Sequence, residues 1–288
     1  MFTVNVPVTD LRSEPSEPDF SLHIDRRQES QLLFGELVEV VHETADGWVK
    51  IHALEQSRYR SETDWTGYPG WVRKEHLVKG ELRPNLVVTS LWSTLGSKEI
   101  PLGTYLEGVE EVGHHWMVRL PNGSVSPIAK KDVAKIPLKP TLAHIVESAQ
   151  KLIGHRYTWG GRCPFRPNWN KSHTSVDCSG LINLAYRAEG LILPRDAHDQ
   201  YLMSDPVKPT QLRAADLIFS SPADRPQRMT HVMLFIEGDT FIDANITDGK
   251  VVLCTAKERF GTPFAKMSQG IQVQETLLHF GRPQCLKV

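Results

Sequence analysis

A chain of 288 residues is long enough for two or three domains at the usual ~100–200 residues each. Hydrophobic content of 40% and charged content of 23% are ordinary for a soluble protein. The formal net charge of −1 gives no global field that would draw the chain to nucleic acid or to an anionic membrane.

Met1 to Val6 lacks the basic start and apolar core of a secretory signal, and nothing later approaches the ~20 apolar residues of a membrane-crossing helix. Cytoplasmic residence is therefore expected, with an exported form as the alternative. The 4 cysteines are too few and too scattered for a disulfide framework, and none form a C-x-x-C metal pair. Free thiols in a reducing compartment are expected.

Residues 1–80 read as short strands and turns. Val4 to Val8 forms a strand, and Asp10 to Pro15 follows as a polar, proline-bearing loop. Gln31 to Val41 is broken by Gly35-Glu36. Asp46-Gly47 is a turn before the alternating Trp48 to Ile51, and a longer polar segment then ends in Gly67 to Val72. This pattern predicts a small β-barrel. Residues 81–137 repeat the plan more loosely, with Leu86 to Val88, Gly103 to Leu106, His115 to Leu120 and a Pro121-Asn122-Gly123 turn. A second barrel is expected there, with Trp48 and Trp116 as core residues.

Pro137 to Pro140 is a linker into the third unit, 138–288. Thr141 caps a helix with apolar residues at 142, 145, 146, 149, 152 and 153, closed by Gly154. A second helix begins near Cys178 and ends near Gly190, and Asp196 caps a short third one through Tyr201. The period then changes to strands at Asp216 to Phe219, His231 to Ile236, Thr240 to Ala244, Val251 to Cys254 and Ile271 to Thr276. Helices followed by an antiparallel sheet make an α+β domain.

The chemistry concentrates at Val176-Asp177-Cys178-Ser179-Gly180-Leu181. A thiol on the first helical turn meets unpaired N–H groups and the positive end of the helix dipole, which favour the thiolate that attacks carbonyls. A lone cysteine is more often a buried core thiol. Cys178 has company: His231 opens an apolar strand and can serve as its base. Cys163, Cys254 and Cys285 lack such neighbours and are read as core thiols. His155, His173 and His198 are read as surface groups. A cysteine before a helix and a histidine on a later strand is the papain-like order.

Five blocks in order carry a resemblance. They are Tyr157-Thr158-Trp159-Gly160-Gly161; Asp177-Cys178-Ser179-Gly180-Leu181; Leu193-Pro194-Arg195-Asp196 with Gln200; Ala215-Asp216-Leu217-Ile218-Phe219; and His231-Val232 with Phe241-Ile242-Asp243-Ala244. The series resembles NlpC-type peptidoglycan cysteine peptidases and covers roughly the C-terminal half. The N-terminal order LRSEP, GELVEV, DGWVKI, GYPGWV is similar to a bacterial SH3-like domain. The fold so implied is a papain-like α+β catalytic domain preceded by two SH3-like barrels.

The resemblance also implies site roles. Cys178 would be the nucleophile and His231 the base. Asp243, where the family commonly has His, would accept the imidazole N–H. A two-residue Gly238-Asp239 loop would put residues 231 and 243 on opposite sheet faces, so this pairing needs a bulge. Tyr157, Asp177 and Ser179 would grip the substrate, Asp177 by its ionic contact with the free amine of an L-alanine. Glu36 and Tyr68 would close the amine end from the first barrel. Ala197 replaces a family serine and removes one hydroxyl contact. Residues 162–176, with Arg166, Trp169, Asn170 and His173, form a longer connection that either lines the cleft or lies on the surface.

The implied reaction is hydrolysis of the γ-D-glutamyl–diamino acid bond of a murein peptide. Cleavage of a different amide, or wall-peptide binding without catalysis, are the alternatives. No metal, cofactor, nucleic-acid or membrane partner is implied.

Overall fold

The computed structural model describes residues 1–21, 24–61, 63–137, 139–167 and 174–286. Its first unit is one antiparallel sheet of seven strands, in the order Gln28–Leu33, Val8–Arg12, Asp64–Arg73, Trp48–Ser61, Leu37–Glu43, Phe2–Val4, Leu77–Lys79. Leu11, Leu32, Val38, Val49, Ile51 and Val72 fill its core.

Two segments differ from the expectation drawn from polarity alone. Asp10 to Arg12 is strand rather than loop. Leu11 is in the core, Arg12 is buried on Asp25 at 2.7 Å, and Asp10 accepts from Gln31 at 3.1 Å. Buried polar side chains are tolerated in a strand when each finds such a partner. The polar stretch after Ile51 is likewise a long hairpin, Trp48–Ser61 against Asp64–Arg73. Its tip reaches the third unit, where the Tyr59 amide donates to Asp199 at 3.0 Å and the Arg195 amide to the Ser57 carbonyl at 3.2 Å.

The second unit pairs Val125–Ala129, His115–Arg119, Tyr105–Val112, Leu86–Val88 and Val133–Lys135 in that order, with a separate Trp92–Leu95, Lys98–Pro101 pair. Leu86, Val88, Leu106, Val118 and Ile128 pack with Phe34 of the first unit. Trp48 is buried under Arg73, and Trp116 is half-buried under Lys135. Among the described residues neither unit closes by hydrogen bonding into a barrel. The Gln28–Leu33 edge is met instead by arginines of the third unit. Arg162 donates to the Gln31 carbonyl at 2.9 Å and Arg195 to the Ser30 hydroxyl at 2.8 Å. Covering an edge with side chains from another unit removes the need for closure.

The third unit carries helices α1 (Leu142–Gln150), α2 (Cys178–Arg187), α3 (Ala197–Leu202) and α4 (Ala256–Phe260). Its antiparallel sheet runs Ser204–Pro206, Thr276–Pro283, Leu217–Pro222, His231–Glu237, Thr240–Asn245, Lys250–Thr255, with Ile271–Val273 paired to Thr276–Pro283. The expected strand from 271 to 276 is thus two strands, split at Gln274, whose φ is 55°. The α+β architecture is as expected. Leu181, Ile182 and Ala185 of α2 pack with Phe219, Leu234 and Ile242. Ile218, Met233, Phe235, Phe241, Phe264 and Phe280 form a second cluster. Strands buried on both faces read as continuous apolar runs, which is why their alternation is weak. Thr141 precedes α1 but does not cap it, because its hydroxyl donates to Glu189 at 3.4 Å.

Candidate active site

The site starts at the first turn of α2. Asp177 stands at its N-cap in extended conformation and accepts from the Gly180 amide at 2.6 Å, so Cys178 is the first helical residue. The turn is tight enough that a Cβ at residue 180 would lie 2.1 Å from the Gly161 carbonyl oxygen, and only glycine fits. Cys178 is buried but borders a cleft of about 800 Å³.

His231 opens the strand His231–Glu237, opposite Ser220, and its Nε2 lies 2.7 Å from Asp243 Oδ1. The sheet face needed for this contact comes from an irregularity. Leu234 pairs with Ile242 and Phe235 with Phe241, but Glu237 pairs with Thr240, leaving Ile236 as an extra residue. That bulge shifts the register by one and turns Asp243 to the face of His231. Burial works against a charged ring at His231. The Cys178 sulfur, within hydrogen-bonding reach, and the Asp243 carboxylate outweigh it and hold the imidazole well above the ordinary 6.5.

Tyr157 lines the same cleft. Burial, followed by the nearby Asp177 and Cys178 charges, pushes its phenol far up, so it stays a protonated donor. His198 also lines the cleft, but its Nδ1 accepts from the Met229 amide at 3.3 Å; His155 accepts from the Phe165 amide at 3.0 Å. Neither ring competes with His231 for the sulfur.

Asp177 and Ser179 are placed at the cleft wall, yet their polar atoms are already engaged. Asp177 receives Arg195 through both oxygens, at 3.1 and 2.7 Å, besides the amides of Gly180 and Gly160 at 2.6 and 3.0 Å. The Ser179 hydroxyl donates to Asp177 at 3.3 Å and accepts from Arg195 at 2.9 Å. A carboxylate offers about four lone-pair sites, so little is left for a substrate ammonium. Asp177 caps and braces the helix that carries Cys178 while lining the cleft.

Glu36 departs further. It is buried away from the cleft, with Arg162 at 2.7 Å, Gln56 at 3.0 Å and Arg187 at 3.7 Å. Packing between the first and third units has claimed it, because two buried guanidinium groups need a counter-charge. Tyr68 does reach the cleft, where its hydroxyl donates to Asp196 at 3.1 Å and lies 3.5 Å from Glu29. Glu29 and Asp196 are the residues that sequence reasoning missed. Neither carboxylate has a salt-bridge partner among the described residues. Burial, then the neighbouring Asp196 charge, raises Glu29 above the ordinary glutamate 4.5. Arg58 and Arg195 act on Glu29 only from beyond ion-pair distance, so two carboxylates at one end of a cleft leave room for a further cation. The only local signal was a Glu in a strand otherwise flanked by Gln28 and Ser30.

Arg166 pairs with Glu99 and covers the Trp92 ring at 5.0 Å, facing the second unit. Trp169, Asn170 and His173 lie outside the described residues. Ala197 lines the cleft without a hydroxyl. Cys163, Cys254 and Cys285 are free thiols away from the cleft lining. Among the described residues no group of three His, Cys, Asp or Glu side chains could hold a metal ion, and no helix is long and apolar enough to cross a membrane.

Residues 154–269 match the family model described as NlpC/P60 family. A γ-D-glutamyl-L-lysine dipeptidyl-peptidase of Bacillus subtilis is 27% identical over 80% of this chain and 76% of its own length. One of the same name from Bacillus cereus is 28% identical over 72% of this chain and 64% of its own length. The peptidoglycan endopeptidase RipB of Mycobacterium tuberculosis is 27% identical over 50% of this chain and 61% of its own length. A crystal structure of an NlpC/P60 family protein from Bacillus cereus covers 89% of this chain and 94% of its own, with TM-score 0.75 at 22% identity.

Proposed function

We propose that this chain, which carries an NlpC/P60 domain over residues 154–269, is a cysteine endopeptidase acting on free murein peptides. The bond assigned to it joins γ-D-glutamate to a diamino acid such as diaminopimelate, in a peptide that begins with an unblocked L-alanine. One observation carries the reading. The same cleft holds Cys178 with His231 and Asp243, and also Tyr68 with the Glu29 and Asp196 carboxylates, neither of which is in a salt bridge among the described residues. A short peptide with a terminal ammonium can satisfy the carboxylates while presenting a carbonyl to the sulfur. The names of the two Bacillus relatives support the substrate class.

The chemistry follows from the groups present. The Cys178 thiolate adds to the carbonyl carbon, and the charge that develops on oxygen meets the Cys178 amide and the Tyr157 hydroxyl. His231 gives its proton to the departing amine as the C–N bond breaks, leaving a thioester. Neutral His231 then takes a proton from water, which attacks the thioester and frees the L-alanyl-D-glutamate product. Asp243 accepts the imidazole N–H throughout and fixes the ring's orientation. Ser179 and Asp177 act by bracing the helix turn that carries the nucleophile. In this reading the two N-terminal units are SH3-like modules, the first of which walls off the amine end. The setting proposed with it is cell-wall peptide recycling in the cytoplasm.

A mass-resolved digest of L-Ala-γ-D-Glu-diaminopimelate beside its N-acetylated copy tests the proposal. Release of the intact L-Ala-D-Glu dipeptide is expected, with the acetylated copy cut about 100-fold more slowly, the scale of one lost charge-assisted contact. Cleavage at a different amide, or equal rates on both copies, would overturn it.

A further inference from the structure

Asp243 has two oxygens, and the histidine uses one. A carboxylate turns easily about its terminal torsion, so a second tether decides whether the first contact persists. The other oxygen, Oδ2, accepts from Asn245 Nδ2 at 2.8 Å and lies 3.6 Å from Arg259 Nη2. Those two side chains are themselves fixed. The Asn245 amide group also reaches Asp248 Oδ2 at 2.8 Å and accepts from the Asp248 backbone amide at 2.8 Å. Arg259 donates to Asp248 Oδ2 and to the Cys254 sulfur, the latter at 3.2 Å. It stands on α4, a short helix fixed at its start by the reciprocal Thr255–Glu258 cap and at its end by Gly261, whose φ is 76°.

The charges around Asp243 can be named. His231 faces it from the adjacent strand with Cys178 beyond the ring. Cys254 approaches from the strand on the other side, Arg259 from α4, Asp248 from the connecting turn and Lys250 from the start of the following strand. Asp243 and Asp248 thus place two carboxylates around Arg259. Beside His231, Arg259 is the cation within ion-pair distance of the Asp243 carboxylate among the described residues, at 3.6 Å. Asn245 and Arg259 both border the cleft and are half-buried, so they contribute little to the apolar core.

We propose that Asn245 and Arg259 are positioning residues that hold the Asp243 carboxylate against His231 and supply the counter-charge of the Cys178–His231–Asp243 set. This rests on the reading that these three residues carry the chemistry. Neither positioning residue touches the reacting atoms. Both act through Asp243.

The test follows two readouts across pH on the full chain. One is kcat and KM for the L-Ala-γ-D-Glu-diaminopimelate tripeptide. The other is peptide-resolved alkylation of Cys178 by iodoacetamide, which needs no turnover. In Arg259→Gln, kcat is expected to fall about tenfold with KM within about twofold, a loss confined to the reacting step. Without the cation, negative charge beside the sulfur is uncompensated, so the acid limb of alkylation moves up by about one unit. Arg259→Lys restores most of that shift, and Asn245→Ala moves the limb the same way by less. If the limb and kcat stay in place while only the melting temperature drops, the pair is structural and the proposal falls. Hydrolysis retained in Cys178→Ala would remove the underlying reading and this inference together. An inactive Cys178→Ala beside an unchanged Arg259→Gln would remove the inference alone.

Discussion

The two ends of the cleft are built in different ways. The reacting end belongs to one unit: Cys178 on the first turn of α2, His231 and Asp243 on neighbouring strands of one sheet. Backbone hydrogen bonding places all three. The amine end is assembled across units, with Glu29 and Tyr68 from the first sheet and Asp196 from the turn before α3. Its geometry depends on an interface of buried arginines, where Arg162 meets Glu36, Arg187 meets Glu55 and Arg195 meets Ser30. On the proposed function, chemistry is secured locally and selectivity by how two units dock.

That contrast is broken most sharply by Cys178→Ala. Turnover of the tripeptide is expected to fall by about 10⁴-fold or more. Binding of the L-Ala-D-Glu product, measured by calorimetry, should stay within a few-fold of wild type, because the amine end is untouched. Loss of both would mean the two ends are not separable. Glu36→Gln attacks the docking instead. It leaves the buried Arg162 guanidinium without its anion, while Arg187 keeps Glu55, a change that costs about 3–5 kcal/mol in such settings. A lower urea midpoint is expected, with the preference for free amines preserved in the folded fraction. Unchanged stability with lost preference would return the amine contact to Glu36.

The same contrast explains what could be read from residues alone. His231 and the Cys178 helix were legible because apolar runs and a turn of small residues mark them locally. The contact between His231 and Asp243 was not, since it depends on an extra residue at Ile236 that no glycine or proline announces. α4 has the T-x-x-E and glycine signs of a helix but is too short to show periodicity. Glu29 and Glu36 are both acidic residues near the same strand, and only the docking of distant arginines decides which is buried. Strand content in the first two units was plain from turns and alternation. Closure was not, because the fate of an edge depends on what covers it.

Glu29→Gln sharpens the comparison with the smallest and most specific effect. It keeps the shape of the amine end and removes one of its charges. KM for the free-amine tripeptide should rise about tenfold, the weight of one partly buried charge-assisted bond, while turnover of bound substrate stays near wild type. The pH dependence gives an independent check. Burial and the Asp196 charge hold Glu29 above the ordinary 4.5, so in the free protein its neutral form persists to higher pH than in an exposed glutamate. An ammonium binds only the ionised form well. KM should therefore climb as pH falls through a midpoint above 4.5, where an ordinary glutamate would still be ionised. For stability the sign is opposite: a raised folded-state value favours the fold when Glu29 is protonated, and that contribution is lost as pH rises through it. A KM profile that is flat from pH 4.5 to 7, in wild type and in Glu29→Gln alike, would mean that the amine is held elsewhere.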